Sequence, residues 1–252
     1  TVTGVIGNTK AIKAINFGAA NTTVNLQSNA SISSLNFAGK SGTTLLIGDG
    51  KTFTGGVVAG GDDIGTIDLT TNNVTFSGTI GANGARVSNI DIGSANAAKT
   101  FTLKGTAYAK NTTINHADST ITFASDGSIL NTDLVLGGDQ YGIINASTNS
   151  GTIVGNIGGV SAAVANIKVG SANTAKTFTA SGDVYSTAIS LSNTGSTFVF
   201  GKDNMTVTGA FVLGGNNYGT LTVSNSGTIV GQAGVAGTAI NKADIASGKS
   251  LT

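Results

Sequence analysis

The residues with the clearest chemical potential are the paired acids of a Gly-Gly-Asp-Asp block at residues 60–63, which Gly65 and Asp68 follow. Glycine and aspartate in this spacing resemble calcium-binding nonapeptide repeats, in which carboxylate oxygens hold the cation. The block returns 77 residues later as Gly-Gly-Asp-Gln at 137–140, and after another 77 as Gly-Gly-Asn-Asn at 214–217. Because the acids are lost while the glycines persist, the block is better interpreted as a glycine-rich turn, and we expect no metal site.

Other side chains suited to catalysis are scarce. His116 is the single histidine, and the position 77 residues later holds Asn193, so neither a histidine metal cluster nor a catalytic triad can be assembled. The 12 acidic residues lie mostly in turns, and no pair stands out for glycoside cleavage. We therefore predict a non-enzymatic protein without catalytic, metal-binding or cofactor-binding residues and without a cofactor.

Candidate contacts for a partner are the tyrosines, which form two pairs at the same spacing: Tyr108 with Tyr185, and Tyr141 with Tyr218. Aromatic side chains at the corners of a fold can stack on sugars or anchor a protein partner. They can equally close the apolar core where a corner is loose. These four residues are the only binding contacts that the sequence suggests, and the ligand would be a glycan or a partner on a host or neighbouring cell surface.

Threonine and lysine complete the surface inventory. Thr-x-Thr motifs such as Thr100–Thr102 and Thr177–Thr179 could order water for ice binding if one recurred in most coils on one face. Since Thr-Phe-Thr comes mainly once in 77 residues, ordinary strand alternation explains it better. The lysine that precedes this motif, at Lys51, Lys99 and Lys176, is interpreted as a solvated charge that discourages pairing at sheet edges.

Composition narrows the function classes further. Charged residues make up 10% of the 252, the net charge is +1, and Pro, Cys and Trp are absent. A chain so nearly neutral has no basic field for nucleic acid, and without cysteine it has no disulfide framework. No run of apolar residues is long enough to span a membrane as a helix. Missing prolines fit a backbone whose N–H groups are committed to a hydrogen-bonded ladder.

The elements that must position these residues are β-strands. Short apolar bursts alternate with a period of two, as in Ile15-x-Phe17, Leu35-x-Phe37 and Phe198-x-Phe200, and Gly, Asn, Asp and Ser clusters separate them. Residues 14–18 align with 34–38 at a step of 20, which predicts coils of 19 to 21 residues. The pattern favours a right-handed parallel β-helix, with a sandwich as the alternative. About thirteen coils at ~4.8 Å would form a rod roughly 60 Å long.

We expect a single β-solenoid over residues 1–252, in which each 77-residue repeat contains about four coils. The repeat units are placed at about 12–88, 89–165 and 166–241, with residues 242–252 as the start of a truncated fourth unit. Such an array would be either a fragment of a longer protein or a protomer whose open ends meet further copies of itself.

The Asn- and Thr-rich strands at 15–26 and 31–37, together with the long period and the absence of cysteine, resemble the passenger regions of bacterial autotransporter adhesins, and most closely the rickettsial outer-membrane surface antigens. This resemblance implies a β-helical passenger, export by a C-terminal barrel, a crystalline or fibrous coat, and adhesion to host cells. The leading hypothesis is an extracellular, structural or adhesive segment of a repetitive bacterial surface protein. The alternatives are a self-assembling fibre or surface-layer subunit that stacks head to tail, and a polysaccharide-binding or polysaccharide-processing solenoid.

Overall fold

The chain forms a stack of parallel coils, which the computed structural model describes over residues 1–252. There are 22 β-strands and no helix. The strands of the first part are β1 (Ile12–Asn16), β2 (Thr23–Leu26), β3 (Ala30–Asn36), β4 (Thr44–Ile47), β5 (Lys51–Val58), β6 (Thr66–Leu69), β7 (Val74–Ile80) and β8 (Val87–Ile92).

The middle of the chain contains β9 (Thr100–Ile114), β10 (Thr120–Phe123), β11 (Ser128–Leu136), β12 (Ile143–Ala146), β13 (Gly151–Val154), β14 (Val164–Val169) and β15 (Thr177–Ala180). The last part contains β16 (Val184–Leu191), β17 (Thr197–Phe200), β18 (Met205–Leu213), β19 (Tyr218–Val223), β20 (Gly227–Val230), β21 (Gly234–Val235) and β22 (Thr238–Ile245). All pairings between these strands are parallel except that of β21 with β22.

Each coil has three sides, which we call faces 1, 2 and 3. Strand β9 runs along all three faces of one coil. Residues 100–103 lie on face 1 and pair with β10, whereas residues 106–108 lie on face 2 and pair with the first half of β11. Residues 109–114 lie on face 3 and pair with β8. The chain therefore passes from face 1 to face 2 to face 3 in each coil.

The solenoid predicted from the sequence is confirmed, but most of its coils are longer than the predicted 19 to 21 residues. Partners in successive coils are 20 positions apart between Phe101 and Ile121 and 27 apart between Val74 and Phe101. The long coils carry extra tight turns such as Ser94–Ala97, whereas the sequence alignment had sampled short coils. The chain makes about 11 coils, so the rod is roughly 50 Å long.

The 77-residue step consequently spans three coils and one further face rather than four coils. Phe101, Ile121, Ile144 and Ile167 stack on face 1 in four successive coils, which takes 66 residues. The remaining 11 residues lead to Phe178 on face 2, where it pairs with Gly151. Each repetition of the sequence is therefore rotated by about one third of a turn around the rod.

The repeated glycine turn shows this rotation directly. Residues 60–65 connect face 2 to face 3, residues 137–142 connect face 3 to face 1, and residues 214–219 connect face 1 to face 2. The backbone of the turn is nevertheless the same, because Asp63, Gln140 and Asn217 have φ values of 60°, 56° and 58°. One local sequence thus builds all three corners of the rod.

The core is a continuous column of apolar side chains that stack from coil to coil. Alternation buries about every second residue of the strands between β3 and β19, and phenylalanines such as Phe37, Phe101 and Phe198 are fully buried. Phe53 and Phe76 have ring centroids 5.2 Å apart, and Phe76 lies 6.0 Å from Phe101. Aromatic pairs at these separations add about 0.5–1.5 kcal/mol each beyond the apolar area they bury.

Where face 1 meets face 2, the strands bend without interruption at a stacked column of glycines. Gly55, Gly78 and Gly105 have φ values of 128°, 144° and 145°, a region that side chains make unfavourable. A Cβ atom on Gly78 would lie 2.1 Å from the carbonyl oxygen of Gly55 in the preceding coil. Glycine is therefore required at this bend both by the backbone angle and by the close approach of the next coil.

Ion pairs between coils that are two steps apart provide a second connection along the rod. Asp126 accepts a hydrogen bond from the backbone N–H of Ser150 in the next coil at 2.7 Å, and Lys176, one coil further, contacts its carboxylate at 3.0 Å. The arrangement recurs in the pairs Asp49–Lys99 (4.0 Å) and Asp203–Lys249 (2.9 Å).

The expectation of solvated lysines at this position is wrong for Lys99 and Lys176. Their side chains are only 18% and 17% exposed. The long aliphatic stem of lysine can cover neighbouring apolar surface while the ammonium group reaches a carboxylate. These lysines therefore connect coils instead of repelling a neighbouring sheet edge.

The bend glycines give a first prediction. Replacing Gly78 with alanine should lower the free energy of unfolding by about 2–4 kcal/mol, because strain at φ 144° adds to the clash with Gly55. Gly159→Ala is the matched control, since a Cβ there meets no atom within 4 Å. Urea unfolding followed by circular dichroism measures both variants. Equal midpoints for the two would contradict the assigned bend.

The ion pairs predict an acid-dependent loss of stability. The N–H of Ser150 and then Lys176 hold the pKa of Asp126 below its usual value, and Lys249 and the N–H of Ser226 do the same for Asp203. Because these pKa values are lower in the folded state, the stabilisation is present above the unfolded value of 3.8 and is lost as the pH falls through the folded values.

Thermal unfolding of the Asp126→Asn, Asp203→Asn double variant should therefore depend less on pH below about 4 than that of the parent chain. Asparagine can still accept the backbone hydrogen bond, as Asn73 does from Thr100. Asp118→Asn serves as the control because Asp118 is exposed and forms no ion pair. If the control flattened the pH profile as strongly, the ion pairs would not be its cause.

Candidate functional site

The acids of the glycine turn at 60–63 are neutralised by basic side chains of the following coils. The Arg86 guanidinium donates to Asp62 at 2.9 Å and to Asp63 at 3.0 Å, and the Lys110 ammonium contacts Asp63 at 3.0 Å. Hydrogen bonds from the side chain and then the backbone N–H of Arg86 lower the pKa of Asp62 to about 2. The paired acids thus serve the corner of the rod, as the interpretation as a structural turn requires.

His116 occupies a corner position that a histidine and an asparagine can fill in the same way. Its Nδ1 accepts a hydrogen bond from the backbone N–H of Asp118 at 3.0 Å. At the equivalent position, Asn193 Oδ1 accepts from the N–H of Gly195 at 3.0 Å. This turn requires a side-chain acceptor two residues before the backbone N–H that it binds. Asparagine provides that acceptor as well as histidine does, so the imidazole is not required at this position.

The structure does not bring the four tyrosines together. Tyr108 lies on face 2 and Tyr185 on face 3, and both are half-buried. Tyr141 and Tyr218 pack against the core at different corners. In both turns that contain these tyrosines, the ring lies over the two glycines. A Cβ on Gly138, for example, would be 2.9 Å from the ring of Tyr141.

Threonines form a longer row than the sequence suggested. Thr52, Thr75, Thr102 and Thr122 are paired in four successive coils on face 1. The position two residues earlier is threonine in only two of these coils, at Thr100 and Thr120. A second row of threonines beside the first therefore covers only two coils. The face does not carry the extended array that the ice-binding alternative requires.

A groove of about 460 Å³ crosses neighbouring coils on face 1. Its floor contains Asn166 and Lys168 of β14 and Ser190 of β16, and Tyr218 lines its end at the corner with face 2. The tight turn Ser171–Thr174, closed by backbone hydrogen bonds of 2.8 and 3.1 Å, forms one side. We call this surface the Lys168 groove.

The floor of the Lys168 groove is held by a hydrogen bond between coils. The Ser190 hydroxyl donates to Asn166 Oδ1 at 3.0 Å, and the amide N–H groups of Asn166 donate to no protein acceptor. Lys168 is exposed and forms no ion pair. No carboxylate lines the groove. Its unsatisfied groups are therefore mainly hydrogen-bond donors.

The preceding repeat has the same framework on face 3 with the opposite charge. The Thr113 hydroxyl donates to Asn89 Oδ1 at 3.1 Å, as Ser190 does to Asn166. Asp91 replaces Lys168, and its carboxylate accepts from the Asn89 amide. Burial, followed by repulsion from Asp68 in the neighbouring coil, raises the pKa of Asp91. Two surfaces of equal geometry thus differ in electrostatic potential.

Asn166, Lys168 and Ser190 were not among the site residues predicted from the sequence. The sequence contains one indication of this site. At the 77-residue step, an asparagine (Asn89 and Asn166) and a hydroxyl residue (Thr113 and Ser190) are both kept, while Asp91 changes to Lys168. No His, Asp or Glu side chains group in threes at metal-binding distance. The chain also forms no helix that is both long and apolar enough to cross a membrane.

Comparison with known proteins finds one relationship along nearly the whole chain. The chain is 29% identical over 236 residues to outer membrane protein A of Rickettsia rickettsii, which covers 90% of this chain and 10% of that protein. It thus spans about a tenth of the length of this relative. No protein-family model and no solved structure matches the chain. The similarity supports a relationship to the rickettsial surface antigens, which the strand sequences had indicated.

Proposed function

We propose that the chain is an extracellular, structural and adhesive segment of a repetitive bacterial surface protein, part of an autotransporter-type passenger. The observation that carries this proposal is the rotation of the sequence repeat around the rod. Features spaced by 77 residues point in three directions, as the turns at 60–65, 137–142 and 214–219 do. A rod that repeats its framework of strands and turns on all sides presents a similar backbone to a neighbour in any orientation about its own axis.

The polar outer faces support the same role. They are solvated mainly by threonine, serine and asparagine, and the net charge is +1. A nearly neutral surface limits the long-range repulsion between parallel copies that a highly charged rod would experience. The similarity to a rickettsial outer membrane protein supports a place at the cell surface.

The first part of this proposal predicts an elongated particle. Small-angle X-ray scattering of the purified chain should give a rod with a maximum dimension of roughly 50 Å or more and a constant cross-section. Leu103→Asp is the disrupted control, because Leu103 is fully buried in the stack. A compact, equidimensional profile for the parent chain would overturn the role as a spacer.

The second part predicts adhesion that depends on the folded rod. Beads coated with the parent chain should bind cultured cells severalfold more than beads coated with Leu103→Asp, and soluble parent chain should compete. Flow cytometry measures the bound beads. Equal binding of both bead types would contradict an adhesive role, whereas a rod in scattering without adhesion would leave only the structural role.

A further inference from the structure

We propose that the Lys168 groove binds an acidic saccharide, with a carboxylate of a uronic-acid residue at Lys168 and a sugar ring against Tyr218. This assignment deepens the proposed adhesive role and rests on it. It concerns one face of one repeat, and the equivalent surface around Asp91 would not bind the same ligand.

The charge of the ligand follows from the donors in the groove. The Lys168 ammonium has no carboxylate partner, and the N–H groups of the Asn166 amide have no protein acceptor, while its oxygen accepts from Ser190. A carboxylate is the ligand group that satisfies an ammonium and an amide donor together, through charge-assisted hydrogen bonds. The absence of any acidic side chain from the lining removes the main competitor for Lys168.

The saccharide character follows from a shallow floor that offers hydroxyl groups beside apolar surface, and from an aromatic end. The hydroxyls of Ser147, Ser171 and Ser192 line the groove, and each can donate to or accept from a sugar hydroxyl. Tyr218 lies above Gly214 and Gly215, within 3.0 Å of where their Cβ atoms would be, so its ring is held by the turn. A fixed aromatic ring beside a row of hydroxyl groups suits the apolar face and polar rim of a pyranose.

The shape of the groove restricts the ligand to an extended one. It spans four successive coils, because Ser147 and Gly214, which directly follow β12 and β18, line it together with Lys168 of β14 and Ser190 of β16. Three intervals of about 4.8 Å give a length near 14 Å, which matches a short oligosaccharide. The floor is made of paired strands, so the donors are in place before the ligand binds and little ordering entropy is lost.

Titration calorimetry at low salt tests the site, with a hyaluronan hexasaccharide as the acidic probe and chitohexaose as the neutral probe. We expect one site per chain for hyaluronan, and Lys168→Asp should weaken binding by about tenfold or more through loss of the charged donor. Lys104→Asp is the matched control, since it makes the same change of net charge at an exposed lysine outside the groove.

The aromatic contact has its own matched pair. Tyr218→Ala should weaken hyaluronan binding by about fivefold or more, because the ring stacks on the sugar. Tyr141→Ala removes the equivalent ring from the turn at another corner and should leave the affinity unchanged. Circular dichroism of both variants checks that the strands persist.

Three results would overturn the assignment. These are no hyaluronan binding at millimolar concentration, equal binding of chitohexaose, or equal losses in Lys168→Asp and Lys104→Asp. Bead adhesion separates this inference from the proposed function. Adhesion by a chain that does not bind hyaluronan would reject the groove alone, while hyaluronan binding without adhesion would reject the adhesive role and keep the site.

Discussion

The structure depends on one constraint, which is that the backbone of each coil must be hydrogen-bonded by the coils on both sides of it. The chain forms 145 backbone hydrogen bonds, and strand pairing fixes neighbouring coils about 4.8 Å apart. A backbone at that distance leaves no space for a side chain at a bend, which is why Gly55, Gly78 and Gly105 are stacked. It also explains the absence of proline, which would remove a donor from the ladder. Extra residues can be accommodated only at corners, where the turns such as Ser94–Ala97 project.

This constraint also permits a sequence repeat that is not a whole number of coils. Each face contributes a short strand with inward apolar residues, so the three faces are nearly interchangeable in what the core requires. Phe101 on face 1 and Phe178 on face 2 are both fully buried and both stack on neighbouring rings. A repeat that advances by three coils and one face therefore satisfies the core as well as one of three coils would. The packing of the core therefore does not require the sequence repeat to equal a whole number of coils.

The sequence could predict what depends on local alternation and on turn chemistry. Strands with one buried face, glycine corners and a parallel stack all follow from residues such as Ile15-x-Phe17 and the Gly-Gly turns. The number of residues in a coil could not be predicted in the same way, because coils differ by the length of their corner turns and not by their strands. The partner of Lys176 could not be predicted either, because Asp126 lies two coils away. Contacts between residues 50 positions apart depend on the coil length and are lost when it is wrong.

The hydrogen bonds between coils also determine which surface positions are repeated. Asn89 and Asn166 each keep a hydrogen bond with the next coil, whereas the outward-pointing residue two positions later is not fixed by the core. Packing places little restriction on such a position, so it can change from Asp91 to Lys168 without loss of the fold. Where Ala163 stands at the position equivalent to Arg86, Asp63 is replaced by Gln140, while Asp139 remains and accepts a hydrogen bond from the N–H of Ala163. The framework is thus repeated and the charge is not, and a ligand that recognises charge would distinguish faces that the backbone makes alike.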